Sequence, residues 1–420
     1  MKEEKKIAIV LGGTNPHIQL ITNLKDRGYY TILLDYYENP PAKKYADEHI
    51  QESTLDKEKV LEIAKTKQAD LVISTSIDQA NVTACYVAEK LRLPHPYSYQ
   101  VSLNVSNKLL MKDIMLKNNV PTAKYLYVNS CDFLDNLNLD YPLVVKPVDS
   151  NGSAGVRKVN DYIGLKKGVE EALKISRDKN VIIEEFKEGI EVSIDAFVLD
   201  KQVDIVLIRQ KYDLPENGNY VLQSPGSFSP GFIGKKSTNK LKKIILDICN
   251  AFQLNNTPLL VQAIISDKEV NIIEFAPRVG GGLSYRTVFL NTGFDILDAT
   301  VNSFLSIKKE PQYTTPKAFL ITAIVYAEAG VFSHTEGIDT LIENKTILEF
   351  NFYKTKGMVI GKDMTTKSRI GAFIAKADTY DGAIQKVKIA IQSIKVFTED
   401  NKDVMIRYIY DDISNIKKVE

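Results

Sequence analysis

A lysine at the end of an apolar run precedes a loop of small residues at positions 144–156, which read VVKPVDSNGSAGV. A lysine inside a buried strand is costly unless its ammonium group meets an anion. The loop after Pro147 offers backbone N–H groups with almost no side-chain bulk, and such a loop can hydrogen-bond to the oxygens of a triphosphate. A hairpin turn with a lysine that reaches solvent explains the same letters. Taken alone, the stretch favours neither a phosphate site around Lys146 nor the hairpin.

Acidic residues end a second apolar run, VIIEEFKEGIE, at positions 181–191. The carboxylate of Glu184 can accept a hydrogen bond from the amino group of adenine, and exposed backbone at Glu185 and Phe186 can complete the purine edge. Glu191 can bind the two ribose hydroxyls. A charged hairpin is the simpler interpretation, and in isolation it is the better one.

A third stretch, LLVQAIISDKEVNIIEFAPRVGGG at positions 259–282, predicts two strands joined by a DKE turn. Gln262 and Glu274 fall on neighbouring rungs of this hairpin. Their oxygens suit Mg²⁺, which proteins bind through one or two oxygens plus phosphate. The guanidinium of Arg278 suits the charge on a transferring phosphoryl group, and glycines 280–282 allow close backbone approach to an anion. A structural salt bridge with a flexible turn would leave the arginine and the glycines unexplained.

A glycine turn follows the first apolar run, in the letters LGGTNPH at positions 11–17. With Asp35 at the end of the next predicted strand, the turn suggests a dinucleotide site and hence a dehydrogenase. No third glycine follows Gly12 and Gly13, however, and Pro16 stands where the helix should open. We therefore expect a tight turn in a parallel sheet, which can also serve as a rim that holds a substrate.

Strands and helices alternate over about the first ninety residues, which predicts a parallel sheet with right-handed crossovers. The Pro-rich letters LPHPYS mark a boundary, and the strands after it are more antiparallel in character. The predicted fold class is therefore α/β at the N-terminus and α+β beyond it.

Composition excludes several classes of function. The chain has 420 residues, 44% hydrophobic and 25% charged, with a net charge of +1, which is typical of a globular protein of two or three domains. Neither nucleic acid nor a membrane surface is an expected partner. Cys85, Cys131 and Cys249 are scattered and odd in number, which indicates a cytoplasmic location rather than a disulfide framework. The four histidines are isolated, so we expect no zinc site.

Taken in order, these stretches resemble the ATP-grasp superfamily over about residues 5–310, and more loosely beyond. The first domain and the letters EFAPR are similar to carboxyaminoimidazole ribonucleotide synthetase. The spacing of Glu184 and Glu191, together with Gln262, resembles the carbamoyl phosphate synthetase large chain and L-amino acid ligases. The resemblance implies a leading Rossmann-like (pre-ATP-grasp) domain at 1–97, an ATP-grasp domain at 98–310 with a lid at about 120–190, and a C-terminal α+β segment at 311–420.

The resemblance also implies roles for individual residues. Those implied to bind ATP are Lys108, Lys146, Ser150, Asn151, Gly152, Ser153, Glu184, Glu185, Phe186 and Glu191. Gln262 and Glu274 are implied to hold two Mg²⁺ ions, or Mn²⁺ in their place, and Arg278 is implied to act in catalysis with Lys146. The candidates for substrate contacts are Arg209, Lys211, Gly281 and Arg286.

Two positions depart from the family pattern. Many relatives have Glu at the position of Gln262, and many have Asn at the position of Ala276. We expect metal binding to persist but to be weaker, with a second Mg²⁺ depending more on Glu274 and the phosphates. The same two departures are the only support for a catalytically silent ATP-binding scaffold, and LGGTNPH is the only support for a dehydrogenase.

The activity implied by the resemblance is ATP-dependent ligation of a carboxylate to an amine through an acyl phosphate, giving ADP and phosphate. An amino acid ligase is the first expectation. A purine-biosynthesis-type or carbamoyl-phosphate-type enzyme that uses bicarbonate or formate is the alternative within the class. The expected partners are the small-molecule carboxylate and amine, and a homodimer is common in the family.

Overall fold

Four parallel strands form the N-terminal sheet, in the order β3-β2-β1-β4. The computed structural model describes residues 5–132, 134–150, 155–213, 224–362, 365–411, 413–414 and 416–419. The strands are β1 (Ile7–Leu11), β2 (Tyr30–Asp35), β3 (Glu48–Gln51) and β4 (Leu71–Ser74). The helices between and after them are α1 (Asn15–Asp26), α2 (Lys57–Thr66) and α3 (Asp78–Leu91). The predicted parallel sheet is confirmed, and β3 is an added edge strand whose polar letters, EHIQ, gave no apolar signal.

The LGGTNPH turn is held by the carboxylate of Asp35. The backbone N–H of Gly13 donates to Asp35 Oδ2 at 2.7 Å, and that of Tyr37 donates to Oδ1 at 2.9 Å. Gly12 has φ +102°, and a Cβ there would lie 2.8 Å from Ile77 Cδ1, so the turn requires glycine. Since both oxygens of Asp35 already accept backbone donors, this geometry favours the tight turn over a dinucleotide site.

Helices α4 (Tyr99–Ser106) and α5 (Lys108–Lys117) connect this sheet to a small antiparallel one, ordered β5-β8-β6-β7. Its strands are β5 (Tyr125–Val128), β6 (Leu143–Pro147), β7 (Arg157–Val159) and β8 (Val181–Glu185). Helix α6 (Tyr162–Ile175) packs Leu165 and Val169 onto the strand residues Leu143 and Val145. This sheet lies within the range predicted for the lid, which remains a prediction.

An eight-stranded antiparallel sheet holds the centre of the molecule, in the order β13-β12-β9-β10-β11-β14-β18-β16. Its strands are β9 (Ile190–Leu199), β10 (Gln202–Lys211), β11 (Gly226–Ser229), β12 (Thr257–Ile265), β13 (Val270–Ala276), β14 (Phe319–Tyr326), β16 (Glu349–Phe352) and β18 (Arg369–Ala377). Helices α7 (Lys235–Ala251), α8 (Ser284–Thr292) and α9 (Ile296–Phe304) lie between these strands in the chain. The strands of this sheet come from both sides of residue 311, so the domain boundary proposed at that residue would divide one sheet.

The remaining elements complete the C-terminal core. The strands β15 (Gly330–Glu336), β17 (Val359–Ile360) and β19 (Lys395–Thr398) form a third antiparallel sheet, and the helices are α10 (Ile338–Glu343) and α11 (Tyr380–Ser393). Ala383, Val387, Ala390 and Ile394 pack into this core, as the helical spacing predicts. Within the described ranges no helix combines the length and the apolar character that crossing a membrane requires.

Candidate active site

A polar row crosses four strands of the central sheet. Arg209 on β10 pairs with Ser193 on β9, Ser193 pairs with Gln262 on β12, and Gln262 pairs with Glu274 on β13. Cross-strand partners point to the same face of a sheet, so these side chains share one surface. The opposite face is apolar, since Val192, Ile194, Val261 and Ala263 pack with residues of α7 such as Leu241 and Ile245. The predicted pairing of Gln262 with Glu274 is confirmed.

This row forms the floor of a cleft of about 700 Å³ between the N-terminal sheet, the small antiparallel sheet and the central sheet. The cleft brings together most of the predicted site residues, namely Lys108, Lys146, Ser150, Glu184, Glu185, Phe186, Glu191, Arg209, Lys211, Gln262, Glu274, Arg278 and Gly281. Arg286 is not among its lining residues and pairs instead with Glu349 at 3.0 Å. Asn151, Gly152 and Ser153 lie outside the described residues.

Lys146 shares the carboxylate of Glu184 with a second lysine. Its Nζ lies 2.8 Å from Glu184 Oε2, and Lys112 Nζ lies 2.9 Å from Oε1. The three residues are 2–5% exposed. Burial disfavours the charged carboxyl, but the two lysines outweigh burial and lower the pKa of Glu184 below its ordinary value. Lys112 also donates to Thr122 Oγ1 at 2.6 Å. The buried ion pair with Glu184 therefore holds the ammonium group of Lys146 in one position on β6.

Lys108 connects the metal-ligand candidates to the small-residue loop that follows Pro147. Its Nζ lies 3.2 Å from Glu274 Oε2 and donates to the carbonyl oxygen of Ser150 at 3.0 Å. The charge of Lys108 is the largest of the effects that lower the pKa of Glu274 to about 2, so this carboxylate is ionised throughout the physiological range.

The residues around Glu274 fit a magnesium nucleotide. Glu274 supplies a carboxylate and Gln262 a carbonyl oxygen from paired positions, and Mg²⁺ is bound in this way when phosphate completes its shell. In the described ranges no group of three or more His, Cys, Asp or Glu side chains converges as a self-sufficient metal site. Ala276, two residues on along β13, offers no side-chain oxygen. Glu274 and Gln262 would therefore hold the metal together with nucleotide oxygens.

Lys211 lies between the ribose-site candidate and the metal-site candidate. Its Nζ forms an ion pair with Glu191 and donates to Gln262 Oε1 at 3.4 Å. A ligand that drew Glu191 or Gln262 away would free this ammonium for a phosphoryl or carboxylate oxygen.

Arg278 is held by an acid at the start of helix α3 in the N-terminal domain. Its Nε donates to Asp78 Oδ1 at 2.7 Å and its Nη2 to Asp78 Oδ2 at 2.8 Å. Its Nη1 donates to the Val279 carbonyl at 2.9 Å. A guanidinium has five N–H donors, so two remain for a substrate oxygen. Burial alone would lower the pKa of Arg278, but the charge and hydrogen bonds of Asp78, together with the charge of Glu274, outweigh burial and raise this pKa above its ordinary value, so the arginine stays charged.

Two other sets of groups predicted to contact ligands already have hydrogen-bond partners within the protein. Arg209 donates to both oxygens of buried Asp195, at 2.7 and 3.0 Å, and to Ser284 Oγ at 2.9 Å. The backbone N–H groups of Glu185 and Phe186 donate to the carbonyls of Lys124 and Pro142. A purine contact at this hinge would therefore use carbonyl oxygens or the next residue, Lys187, which also lines the cleft.

The sequence interpretation missed Lys112 and Asp78. Lys112 follows Lys108 by four residues on α5, so both lie on one helix face, and this spacing was a usable signal. Asp78 is the first residue of α3 and carries no pattern that connects it with an arginine 200 residues away.

Comparison with known proteins places this site in a family. The ATP-grasp domain model matches residues 139–286, and the model for the L-amino acid ligase C-terminal domain 2 matches residues 323–399. A D-alanine–D-alanine ligase of Thermosipho africanus is 28% identical over 44% of this chain and 53% of its own length. The chain therefore spans about half of that relative.

Two longer matches cover nearly the whole chain. A formate-dependent phosphoribosylglycinamide formyltransferase of Prochlorococcus marinus is 26% identical over 93% of this chain and 100% of its own. The crystal structure of an L-amino acid ligase from Bacillus licheniformis superposes with a TM-score of 0.78 and 18% identity, covering 95% of this chain and 100% of that one. This similarity confirms the expected fold. Residues 139–286 therefore form an ATP-grasp domain, and the chain as a whole is similar in fold and sequence to ligases that contain this domain.

Proposed function

We propose that this chain is an ATP-dependent ligase that activates an amino acid, or another small carboxylic acid, as an acyl phosphate and joins it to an amine. The observation that carries this proposal is the convergence of Lys146, Lys108, Arg278, Glu274 and Gln262 in one cleft. Cations and a metal-ligating pair facing one space suit the transfer of a phosphoryl group, since that reaction depends on alignment and charge neutralisation.

The chemistry requires two displacements. A carboxylate oxygen attacks the γ-phosphorus, and the bond to the β,γ-bridging oxygen breaks to release ADP. The amine nitrogen then attacks the acyl carbon, loses a proton, and inorganic phosphate leaves. Lys146 and Lys108 are positioned for phosphate oxygens beside the lid, and Arg278 for the transferring group. A metal on Glu274 and Gln262 would neutralise phosphate charge when bound.

An amino acid substrate is favoured by the C-terminal part of the chain, whose strands β14 and β18 contribute Thr322 and Arg369 to the cleft. The same region matches the L-amino acid ligase C-terminal domain. Gly281 also lies in the cleft, and a Cβ there would meet nothing within 4 Å, so the site has room for a substrate group next to Arg278. The proposal includes a cytoplasmic location and a homodimer.

A purine-type reaction with formate or bicarbonate is the second candidate. It is favoured by a formyltransferase relative that matches over 93% of this chain at 26% identity. The two candidates differ in the carboxylate and in the amine, so they are separable by substrate.

The test measures phosphate release from ATP and Mg²⁺ with pairs of amino acids, with formate plus phosphoribosylglycinamide, and with bicarbonate. Products are identified by mass spectrometry. The acid that supports turnover is then supplied with ¹⁸O in its carboxylate, and we expect one ¹⁸O atom in the released phosphate. Turnover without ¹⁸O transfer contradicts the acyl phosphate. Tight ATP binding without turnover on any acid supports the silent scaffold.

The site assignment is tested on the same substrate pair with Lys146→Ala and Arg278→Ala. Lys59→Ala is a matched control, because its ion pair with Glu62 lies on the exposed surface of α2. Each site variant should lose most of its turnover while the control keeps it. Full turnover in either site variant contradicts the assignment.

A further inference from the structure

The first domain contacts the segment that carries Arg278 at three points. Asp78 makes the two-bond contact with the guanidinium of Arg278 described above. Ser76 Oγ donates to the carbonyl of Gly280 at 3.2 Å. Tyr97 Oη donates to the carbonyl of Pro277 at 3.2 Å, and this tyrosine is buried. The backbone on both sides of Arg278 is thus fixed by the same domain that fixes its side chain.

The carboxylate of Asp78 accepts hydrogen bonds from Arg278 and not from the backbone of its own helix. It is the first residue of α3, and the N-terminus of that helix has no side-chain cap. An acid in the first helical turn commonly bonds to a free backbone N–H, but both oxygens of Asp78 accept from Arg278 instead. The helix N-terminus still favours a negative charge at this position.

The pair lines the cleft and is partly shielded from water. The side chain of Arg278 is 14% exposed and that of Asp78 is 25% exposed, and both line the cleft. A two-bond Arg–carboxylate contact fixes the plane of the guanidinium as well as its position. The two donors left over then have a defined direction, which a single contact would not give.

We infer that Asp78 is a positioning residue for Arg278, so that the first domain completes the phosphoryl-transfer site formed by the central sheet. This inference rests on the proposed function, in which Arg278 contacts the transferring phosphoryl group. Asp78 contributes no atom to the reaction. It holds the guanidinium in the orientation that the reaction requires.

The closest variant is Asp78→Asn, which keeps the size of the side chain and removes its charge. We expect turnover to fall about 100-fold, the size of effect that a misplacement of about 1 Å can have. The KM for ATP should change less than about twofold, since the arginine is needed only as the phosphoryl group moves. Asp78→Glu should recover part of the loss because it restores the charge.

The matched control is Asp56→Asn, in the same domain and also at a helix start. Asp56 accepts from the backbone N–H of Lys59 at 3.0 Å, a role that asparagine also fills, and it does not line the cleft. The control should keep wild-type turnover. Melting temperatures of all variants show whether a loss of activity reflects unfolding, and equal losses of turnover in Asp56→Asn and Asp78→Asn overturn the inference.

A binding measurement tests the same point without knowledge of the carboxylate. The probes are ADP alone and ADP with aluminium fluoride, which mimics a phosphoryl group in transfer, each with Mg²⁺ and followed by calorimetry. Asp78→Asn should weaken binding of the mimic about 100-fold and leave ADP binding within about twofold. Equal affinity of wild type and Asp78→Asn for the mimic overturns the inference.

Arg278→Lys, measured in parallel, separates this inference from the proposed function. If Arg278→Lys binds the mimic as tightly as wild type, the proposed role of Arg278 fails. If Arg278→Lys binds the mimic weakly and Asp78→Asn binds it normally, only the role of Asp78 fails. In the double variant, Asp78→Asn should add less than about twofold to the loss from Arg278→Lys, because both changes remove one interaction. A fully additive loss shows that Asp78 acts independently of the arginine.

Discussion

Glu184→Gln removes the one carboxylate that neutralises two buried ammonium groups. Lys146 Nζ and Lys112 Nζ lie 2.8 and 2.9 Å from its oxygens, and the two lysines are 5% and 2% exposed. Glutamine has the same shape, so the change leaves no cavity. It leaves two like charges close together in a site from which water is nearly excluded.

The magnitude follows from burial. Removing one partner of a buried ion pair costs about 3–5 kcal/mol. The entropy of unfolding is about 2 cal/mol/K per residue, which gives about 0.9 kcal/mol/K if the 420 residues unfold as one unit. The expected decrease in melting temperature is therefore about 3–6 °C, and it is larger if the lid unfolds separately.

The assay is thermal unfolding of the unliganded protein, with Glu62→Gln as the control. Glu62 lies 2.7 Å from Lys59, but these side chains are 66% and 45% exposed, so we expect a shift of no more than about 1 °C. Equal shifts in the two variants would refute the reasoning, because the argument depends on burial and not on the presence of an ion pair.

The pH dependence gives a second check on the same variant. Burial lowers the pKa of Lys112 below its ordinary value, and loss of the Glu184 charge lowers it further. A lysine whose folded pKa is depressed stabilises the protein more as pH rises, since the folded state prefers the neutral amine. The melting temperature of Glu184→Gln should therefore approach that of wild type as pH rises towards 10.5, the ordinary pKa of lysine. A constant difference up to that pH would contradict the account.

Two further predictions concern the metal-ligand candidates. The pKa of Glu274 is lowered to about 2, so its stabilising effect is complete above the ordinary value of 4.5 and is lost as pH falls towards 2. The difference in melting temperature between wild type and Glu274→Gln should be constant above pH 5 and should shrink below it. The size of this change is reduced by solvent screening, because the Glu274 side chain is 34% exposed. A difference that persists at pH 2 contradicts this prediction. Gln262→Glu adds a carboxylate opposite Glu274 and should bind Mn²⁺ more tightly in the presence of ADP, as measured by electron paramagnetic resonance; unchanged affinity would show that Gln262 is not a ligand.

Local patterns predicted the hairpin that carries Gln262 and Glu274, because a turn of a few residues sets the register of the two strands. The alternation of strands and helices predicted the parallel sheet for a similar reason, since each crossover is local. The continuation of the central sheet from β11 to β14 was not predictable in this way. These strands are about ninety residues apart, and their pairing depends on how the C-terminal core packs.

The partners of the site residues were harder to predict than the residues themselves. The acid beside Arg278 comes from the first domain, 200 residues earlier in the chain. This pairing depends on how the domains pack together, which the local sequence does not indicate. The acid beside Arg209 is Asp195, which the sequence places in an apolar strand with no indication of its role. Charged residues in apolar runs indicated where a site lies, but long-range packing determined which charges meet.

Six of the cations in and beneath the cleft are paired with acids before any ligand binds. Lys146 and Lys112 share Glu184, Lys108 pairs with Glu274, Lys211 with Glu191, Arg278 with Asp78 and Arg209 with Asp195. Binding of a nucleotide is therefore an exchange of partners rather than the filling of a bare basic pocket. When phosphate oxygens bind Lys108, Glu274 loses its partner and can bind a metal. When a metal binds Glu274, Lys108 can in turn bind phosphate, so binding of the phosphate and binding of the metal favour each other. Because the matching acids keep the net charge near zero, composition alone gave no sign of an anionic substrate.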